Sequence, residues 1–279
     1  MNADKGSIFH QARRTTLRQL YKARHRVEDA GLLPVSNDYS RFICLTHART
    51  GSTMLIKALQ RHKHILAYSE IARDRHRYPS NVHRFENSED LFESAPATFF
   101  DERVFRDYPA VTMAVGFKIF YFHAPMDTEW GRSVWDYLMG QNNLKVLHLK
   151  RHNMLKTWLS QKLAESTNEW WTYSRNSARK KIRIEYHEAL EFFTRLQRWE
   201  AEFDSMFRDH PTLEIVYEQL SREMDREFRR IQDFLEVPYQ PIKPTTSKRP
   251  HRPLSVQIEN YAELKEQFQG SPWGDFFTD

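Results

Sequence analysis

Five short, almost uninterrupted apolar runs punctuate the chain: Phe42–Thr46, Ile65–Tyr68, Val111–Phe122, Val146–Leu149 and Leu213–Tyr217. A strand covered on one face alternates apolar and polar side chains. One covered on both stays apolar throughout, which is the pattern of a parallel sheet buried between helices. The covers follow four of the runs, as amphipathic stretches over Ser52–Arg61, Thr128–Met139, Asn153–Glu165 and Gln219–Leu235. The fold expected is therefore α/β, with a central parallel sheet of about five strands flanked by helices.

Other segments fit around that sheet. Leu190, Phe193, Leu196, Trp199, Phe203 and Phe207 recur at helical spacing within Ile182–Arg208, and the stripe reads as core. A basic amphipathic helix over Ser7–Ala30 is stopped by Gly31 and Pro34, and its charges read as a solvated face. Pro238, Pro241, Pro244, Pro250 and Pro253 forbid helix and leave an extended basic loop, and a last helix is expected over Ser255–Phe268. Residues 1–40 read as a lead-in and 41–279 as one domain.

Composition narrows the function classes. Only 8 of 279 residues are Gly, where average usage would supply about twenty, so Gly-dependent repeat architectures fail. A single cysteine, Cys44, excludes a disulfide framework and Cys-clustered metal sites, and favours a reducing, cytoplasmic setting. No apolar run approaches the ~18 residues of a membrane helix, and the first residues lack a secretory apolar core. The net charge of +5, from 42 Lys+Arg against 37 Asp+Glu, suits an anionic ligand without being a nucleic-acid signature. His62, His64, His76 and His83 have no spacing that selects a metal, so none is expected.

The chemistry concentrates where the first run ends. Phe42–Thr46 leads through His47-Ala48-Arg49-Thr50-Gly51-Ser52-Thr53 into Met54-Leu55-Ile56-Lys57-Ala58-Leu59: strand, loop, helix. A helix N-terminus offers unpaired N–H groups and the positive end of the helix dipole, and one Gly lets backbone approach an anion closely. Arg49 adds a charged fork, and Thr50, Ser52 and Thr53 add hydroxyl donors. The plainer alternative is a helix capped by Thr50 or Ser52, with Gly51 filling the turn. A nucleoside-triphosphate loop needs a first Gly and a Lys that are both missing here, and only Glu218 stands near a place for a magnesium-holding acid.

This loop resembles the 5′-phosphosulfate loop of sulfotransferases that use 3′-phosphoadenosine-5′-phosphosulfate (PAPS), with Ala48 where Pro is common. The segment Val146 to Ser160 is similar to the family's 3′-phosphate segment, especially the bacterial nodulation-factor and glycolipid type, through Arg151, Asn153 and Ser160. Asn153 and Ser160 are seven residues apart and so share a helix face, with Arg151 at its start. Val115–Tyr121, Tyr217–Leu220 and Lys248–Leu264 extend the resemblance from about Arg41 to the end of the chain.

The resemblance implies a P-loop-kinase-like sulfotransferase fold and transfer of a sulfuryl group from PAPS to a hydroxyl or amine of a carbohydrate, lipid or other small molecule. It leaves 3′,5′-adenosine bisphosphate as the product. Arg49, Thr50, Gly51, Ser52 and Thr53 would surround the 5′-phosphate, Arg151 and Ser160 the 3′-phosphate, and Lys248 and Arg249 would close over the nucleotide or remain a solvated loop. Glu70 is the favoured general base and His123 its rival. Lys118 either touches the transferred group or snorkels to solvent. Trp170 and Trp171, with Arg179, Lys180 and Lys181, read as packing or as an acceptor platform. The competing functions are a catalytically idle nucleotide-binding module and a P-loop-type small-molecule kinase; whether the chain is a homo-oligomer is open.

Overall fold

The computed structural model describes residues 34–73, 88–168, 180–242 and 252–278. The expected helix over Ser7–Ala30, and Lys248, Arg249, Trp170, Trp171, Arg179, His76 and His83, lie outside the described residues.

In chain order the elements are β1 (Val35–Ser36), β2 (Ser40–Thr46), α1 (Ser52–Leu59), β3 (Ile65–Glu70), α2 (Glu89–Ser94), α3 (Pro96–Phe99), β4 (Tyr108–Pro109), β5 (Ala114–Phe120), α4 (Glu129–Met139), β6 (Lys145–Lys150), α5 (Met154–Thr167), α6 (Tyr186–Met206), β7 (Thr212–Val216), α7 (Tyr217–Arg222), α8 (Met224–Phe234), α9 (Leu254–Gln257) and α10 (Tyr261–Gln267). The five long strands form one sheet in the order β3-β5-β2-β6-β7, parallel throughout, while β1 and β4 pair antiparallel beside it.

The apolar runs have the reason expected of them. Along β2, Ile43 and Leu45 enter a core with Trp135 of α4, Leu155 of α5 and Phe193 and Phe203 of α6. Phe42 and Cys44 point the other way, into a second core with Leu55 and Leu59 of α1 and Phe228 and Ile231 of α8. Both faces of the strand are therefore apolar. Burial pushes the Cys44 thiol up to about 12, so it stays an inert thiol.

Three helices differ from their expected extents. The stretch Gln219–Leu235 divides into α7 and α8 because Glu223 leaves helical geometry (φ −117°, ψ 50°). Ser255–Phe268 divides into α9 and α10, and α6 starts at Tyr186, for one shared reason: Ile258 forms a parallel bridge with Ile182. The Asn260 amide then brackets Ile184, accepting its N–H at 3.1 Å and donating to its carbonyl at 2.9 Å.

A polar chain crosses from β5 and β6 to α6 and β7. The Tyr121 hydroxyl lies 2.7 Å from His148 Nε2, His148 Nδ1 lies 2.8 Å from Asp204 Oδ1, and Lys150 Nζ donates to Asp204 at 2.7 Å and Glu214 at 2.8 Å. Burial pushes the neighbouring Glu200 carboxyl up to about 7, with Lys150 opposing and Asp204 and Glu214 reinforcing. Because that value stands above the ordinary 4.5, the stability tied to the protonated form is complete below the ordinary value and is lost as pH rises through about 7. Glu200→Gln keeps the neutral shape and is expected to stabilise the chain by about 2 kcal/mol near pH 8. Near pH 4.5 the variant and the wild type should unfold alike. Denaturant unfolding at the two pH values reads this directly; equal stability of the two proteins at both would disprove it.

Candidate active site

Because the sheet is parallel, β2, β3, β5, β6 and β7 end along one edge, and the loops that leave it lie side by side. The centre of that edge is the β2–α1 loop. Thr46 Oγ1 donates to the Leu149 carbonyl at 2.6 Å and lies 2.7 Å from Thr50 Oγ1, which bonds the His47 carbonyl at 2.8 Å. The Thr46 hydroxyl is thus the brace between β2 and β6, and the Thr50 hydroxyl is buried inside the loop behind it. Arg49 (φ 66°) and Gly51 (φ 91°) are left-handed on either side of it. Alternation of hand turns successive N–H groups to one side, the arrangement of an anion-binding nest.

Gly51 is the N-cap of α1, and no side chain caps it. The expectation that Thr50 or Ser52 caps the helix is corrected: Thr50 is turned inward and Ser52 is buried. The first N–H groups of α1 have no intrahelical acceptor and face the loop's mouth with the positive end of the helix dipole.

The second corner, where β6 meets α5, closes on the first. Arg49 Nε donates to Ser160 Oγ at 3.1 Å, and Arg151 Nη1 donates to the Arg49 carbonyl at 3.1 Å. Arg151 lies over the Tyr217 ring, 4.8 Å from its centroid, with Nε 4.0 Å from Glu218. Burial lowers the Arg151 pKa, while Tyr217 and Glu218 favour its charge. Its Nε is buried and has no hydrogen-bond partner among the described residues. A buried guanidinium N–H without an acceptor is a place for an anionic oxygen.

Asn153 does not join Arg151 and Ser160 as the spacing suggested. Its Oδ1 accepts the Lys156 N–H at 2.9 Å as the N-cap of α5, and its Nδ2 donates to the Phe276 carbonyl at 2.9 Å. Glu218 is also committed: its carboxylate accepts the N–H groups of His152 at 3.2 Å and Asn153 at 3.3 Å. It therefore holds the β6–α5 corner and does not face the β2–α1 loop as a magnesium-holding acid would.

The third group sits at the ends of β3 and β5. The register between them slips at Ser69, so that Tyr68 pairs with Phe117 and Glu70 with Lys118. This bulge re-aims Glu70 and puts its Oε1 2.8 Å from Lys118 Nζ. Arg73 holds the other oxygen at 3.2 Å. Lys118 Nζ also donates to Thr53 Oγ1 at 3.3 Å, which ties the pair to the first turn of α1. Lys118 is 0 % exposed, so the snorkelling alternative is corrected: the ammonium ends inside the site, 4.9 Å from the Phe120 ring centroid.

His123 lies beside this pair with Nε2 3.8 Å from Glu70, too far for a hydrogen bond. Its Nδ1 accepts the Phe120 N–H at 3.2 Å, so a neutral ring carries its proton on Nε2. Burial, with the charges of Arg73 and Lys118, pushes its pKa well below the ordinary value and keeps the ring neutral. The one basic lone pair of this imidazole is thereby spent on backbone.

Among known proteins, residues 142–241 match the model of the sulfotransferase family. The matched segment carries β6, Arg151, Ser160, Tyr217 and Glu218. The chain is similar to a solved sulfotransferase from Alicyclobacillus acidocaldarius, at 16% identity over 85% of this chain and 93% of the other, with a TM-score of 0.41. It is also similar to mouse sulfotransferase SULT7A1 complexed with PAP, at 13% identity over 75% of this chain and 62% of that one, with a TM-score of 0.40. No curated protein sequence matches it.

The structure thus brings together Arg49, Thr50, Gly51, Ser52, Thr53, Glu70, Lys118, His123, Arg151 and Ser160. Sequence reasoning missed Arg73, and it singled out Tyr217 and Glu218 without placing them beside Arg151. Arg73 carried a signal, a cation three residues after Glu70, in the i, i+3 relation. Among the described residues no helix is long and apolar enough to cross a membrane, and no group of three His, Cys, Asp or Glu side chains is placed to hold a metal.

Proposed function

We propose that this chain is a sulfotransferase that transfers a sulfuryl group from PAPS to a hydroxyl of a carbohydrate, lipid or other small-molecule acceptor. The observation that carries the reading is the convergence of Arg49, Ser160 and Arg151 across a hundred residues of sequence, beside a carboxylate paired with a buried lysine. Two cationic corners a short way apart suit a nucleotide with two separate phosphates. The nest at Arg49–Gly51 and the N-terminus of α1 take the 5′-phosphate, and the Arg151 guanidinium, whose Nε has no hydrogen-bond acceptor among the described residues, takes the 3′-phosphate.

In the reaction Glu70 accepts the acceptor's hydroxyl proton as its oxygen forms the new bond to sulfur. The bond from sulfur to the 5′-phosphate oxygen breaks, and the electron pair leaves with the bisphosphate. The charge that develops there falls where Arg49 and the first N–H groups of α1 stand; Lys118 faces the transferred group. Catalysis of this kind is mainly positioning and charge stabilisation, as in phosphoryl transfer. His123, neutral and with its lone pair engaged, serves as packing beside Glu70. A single buried thiol at Cys44 fits a reducing compartment, the cytoplasm.

Calorimetric titration tests the donor. 3′,5′-Adenosine bisphosphate should bind without metal, and at least about tenfold more tightly than ATP with magnesium, about 1.4 kcal/mol. No binding of the bisphosphate, or tighter binding of ATP, would overturn the reading.

A further inference from the structure

One side chain touches both anion-binding corners. Tyr217 begins α7, directly after β7. A Cβ built on Gly51 would fall 2.5 Å from Tyr217 Cε2 and closer still to Cδ2, so that edge of the ring lies flat against the loop where Gly51 turns. Over the same ring stands the Arg151 guanidinium, 4.8 Å from the centroid. The next residue, Glu218, takes the N–H groups of His152 and Asn153 and so fixes the backbone just past Arg151.

We propose that Tyr217 is a positioning residue that sets the spacing between the two corners, and with it the preference for a nucleotide bearing both a 5′- and a 3′-phosphate. This rests on the donor reading above. The ring acts through its neighbours. Its edge fills the space that a side chain at position 51 would need, which explains why that position holds Gly beyond its left-handed backbone. Its face carries a guanidinium that is otherwise desolvated, and a cation over an aromatic face is held there in direction as well as in distance. Arg151 in turn donates to the Arg49 carbonyl, so ring, guanidinium and loop form a closed circuit. With the ring removed, Arg151 keeps its charge and loses its fixed place.

The test is the ratio of affinities for 3′,5′-adenosine bisphosphate and for 5′-AMP, which lacks the 3′-phosphate, measured by calorimetry on the full chain. Tyr217→Phe keeps the ring and should keep the ratio within about twofold. Tyr217→Leu should lower the ratio about tenfold, with 5′-AMP binding nearly unchanged. Should Tyr217→Leu not fold, Tyr217→Met, of similar volume but unbranched and able to adapt to the gap, reads the same ratio. A general loss of structure would weaken both ligands alike and overturn the proposal. So would an unchanged ratio in Tyr217→Leu or Tyr217→Met, or a loss in Tyr217→Phe equal to theirs, which would assign the effect to the hydroxyl. A wild-type chain that does not prefer the bisphosphate over 5′-AMP sinks the donor reading itself, a distinct failure.

Discussion

Glu70→Gln is expected to bind 3′,5′-adenosine bisphosphate as the wild type does and to turn over at least about 10³-fold more slowly, within the range that positioned acid–base groups contribute. The substitution is nearly isosteric, and the amide oxygen can still accept from Lys118, the shorter of the two contacts, while Arg73 gives up its longer one. Proton acceptance is lost. His123→Gln is the control: with Nδ1 on the Phe120 N–H and the ring neutral, replacing it removes no base and should leave turnover within about tenfold of wild type. Single-turnover assays with a sulfated-product readout decide the matter. Turnover that survives in Glu70→Gln and disappears in His123→Gln would transfer the role to His123.

The reason this prediction falls on Glu70 was only half legible in the sequence. That a carboxylate follows the second apolar run was visible, as was a lysine in the third. What joined them was not: the bulge at Ser69 carries no Gly, Pro or charge signature, and without it Glu70 and Lys118 would fall out of register. The same holds for Arg49, whose left-handed backbone (φ 66°) is a conformation a non-glycine residue adopts only when its surroundings impose it. Strands were legible because burial on both faces leaves no alternative to apolar residues. The short helices α2 and α3 were not, since their apolar residues are too few to show a period. Asn153 illustrates the remaining gap: spacing put it on the face of Ser160, but a side chain at a helix start is more useful to the N–H groups beside it than to a ligand two turns away.

Sheet topology explains why so few residues suffice. The order β3-β5-β2-β6-β7 puts β2 in the middle, so its loop has the Glu70–Lys118 pair on one flank and Arg151 with Tyr217 on the other. Thr53 reaches the first flank and Arg49 the second. The β2–α1 loop, the Glu70–Lys118 pair and the Arg151 corner are therefore braced to each other by side chains of a single loop, and a shift in that loop is felt at both ends.

Arg151→Ala is accordingly expected to raise the Kd for 3′,5′-adenosine bisphosphate about 100-fold, about 2.8 kcal/mol, while changing the affinity for 5′-AMP by less than about threefold. The buried Nε without a hydrogen-bond partner is a donor whose desolvation is already complete before ligand arrives, so a phosphate oxygen gains a charge-assisted bond at little further cost. Arg151→Lys should recover only part of the loss, since an ammonium has neither the planar fork nor the stacking face that Tyr217 supports. Arg49→Ala makes the contrast: its side chain belongs to the loop, and both nucleotides should weaken. The fold should survive the Arg151 change, because Glu218 keeps the N–H groups of His152 and Asn153 and still completes the β6–α5 corner. Calorimetry with the two nucleotides, alongside thermal unfolding, separates these cases; equal weakening of both by Arg151→Ala would move the 3′-phosphate away from this corner.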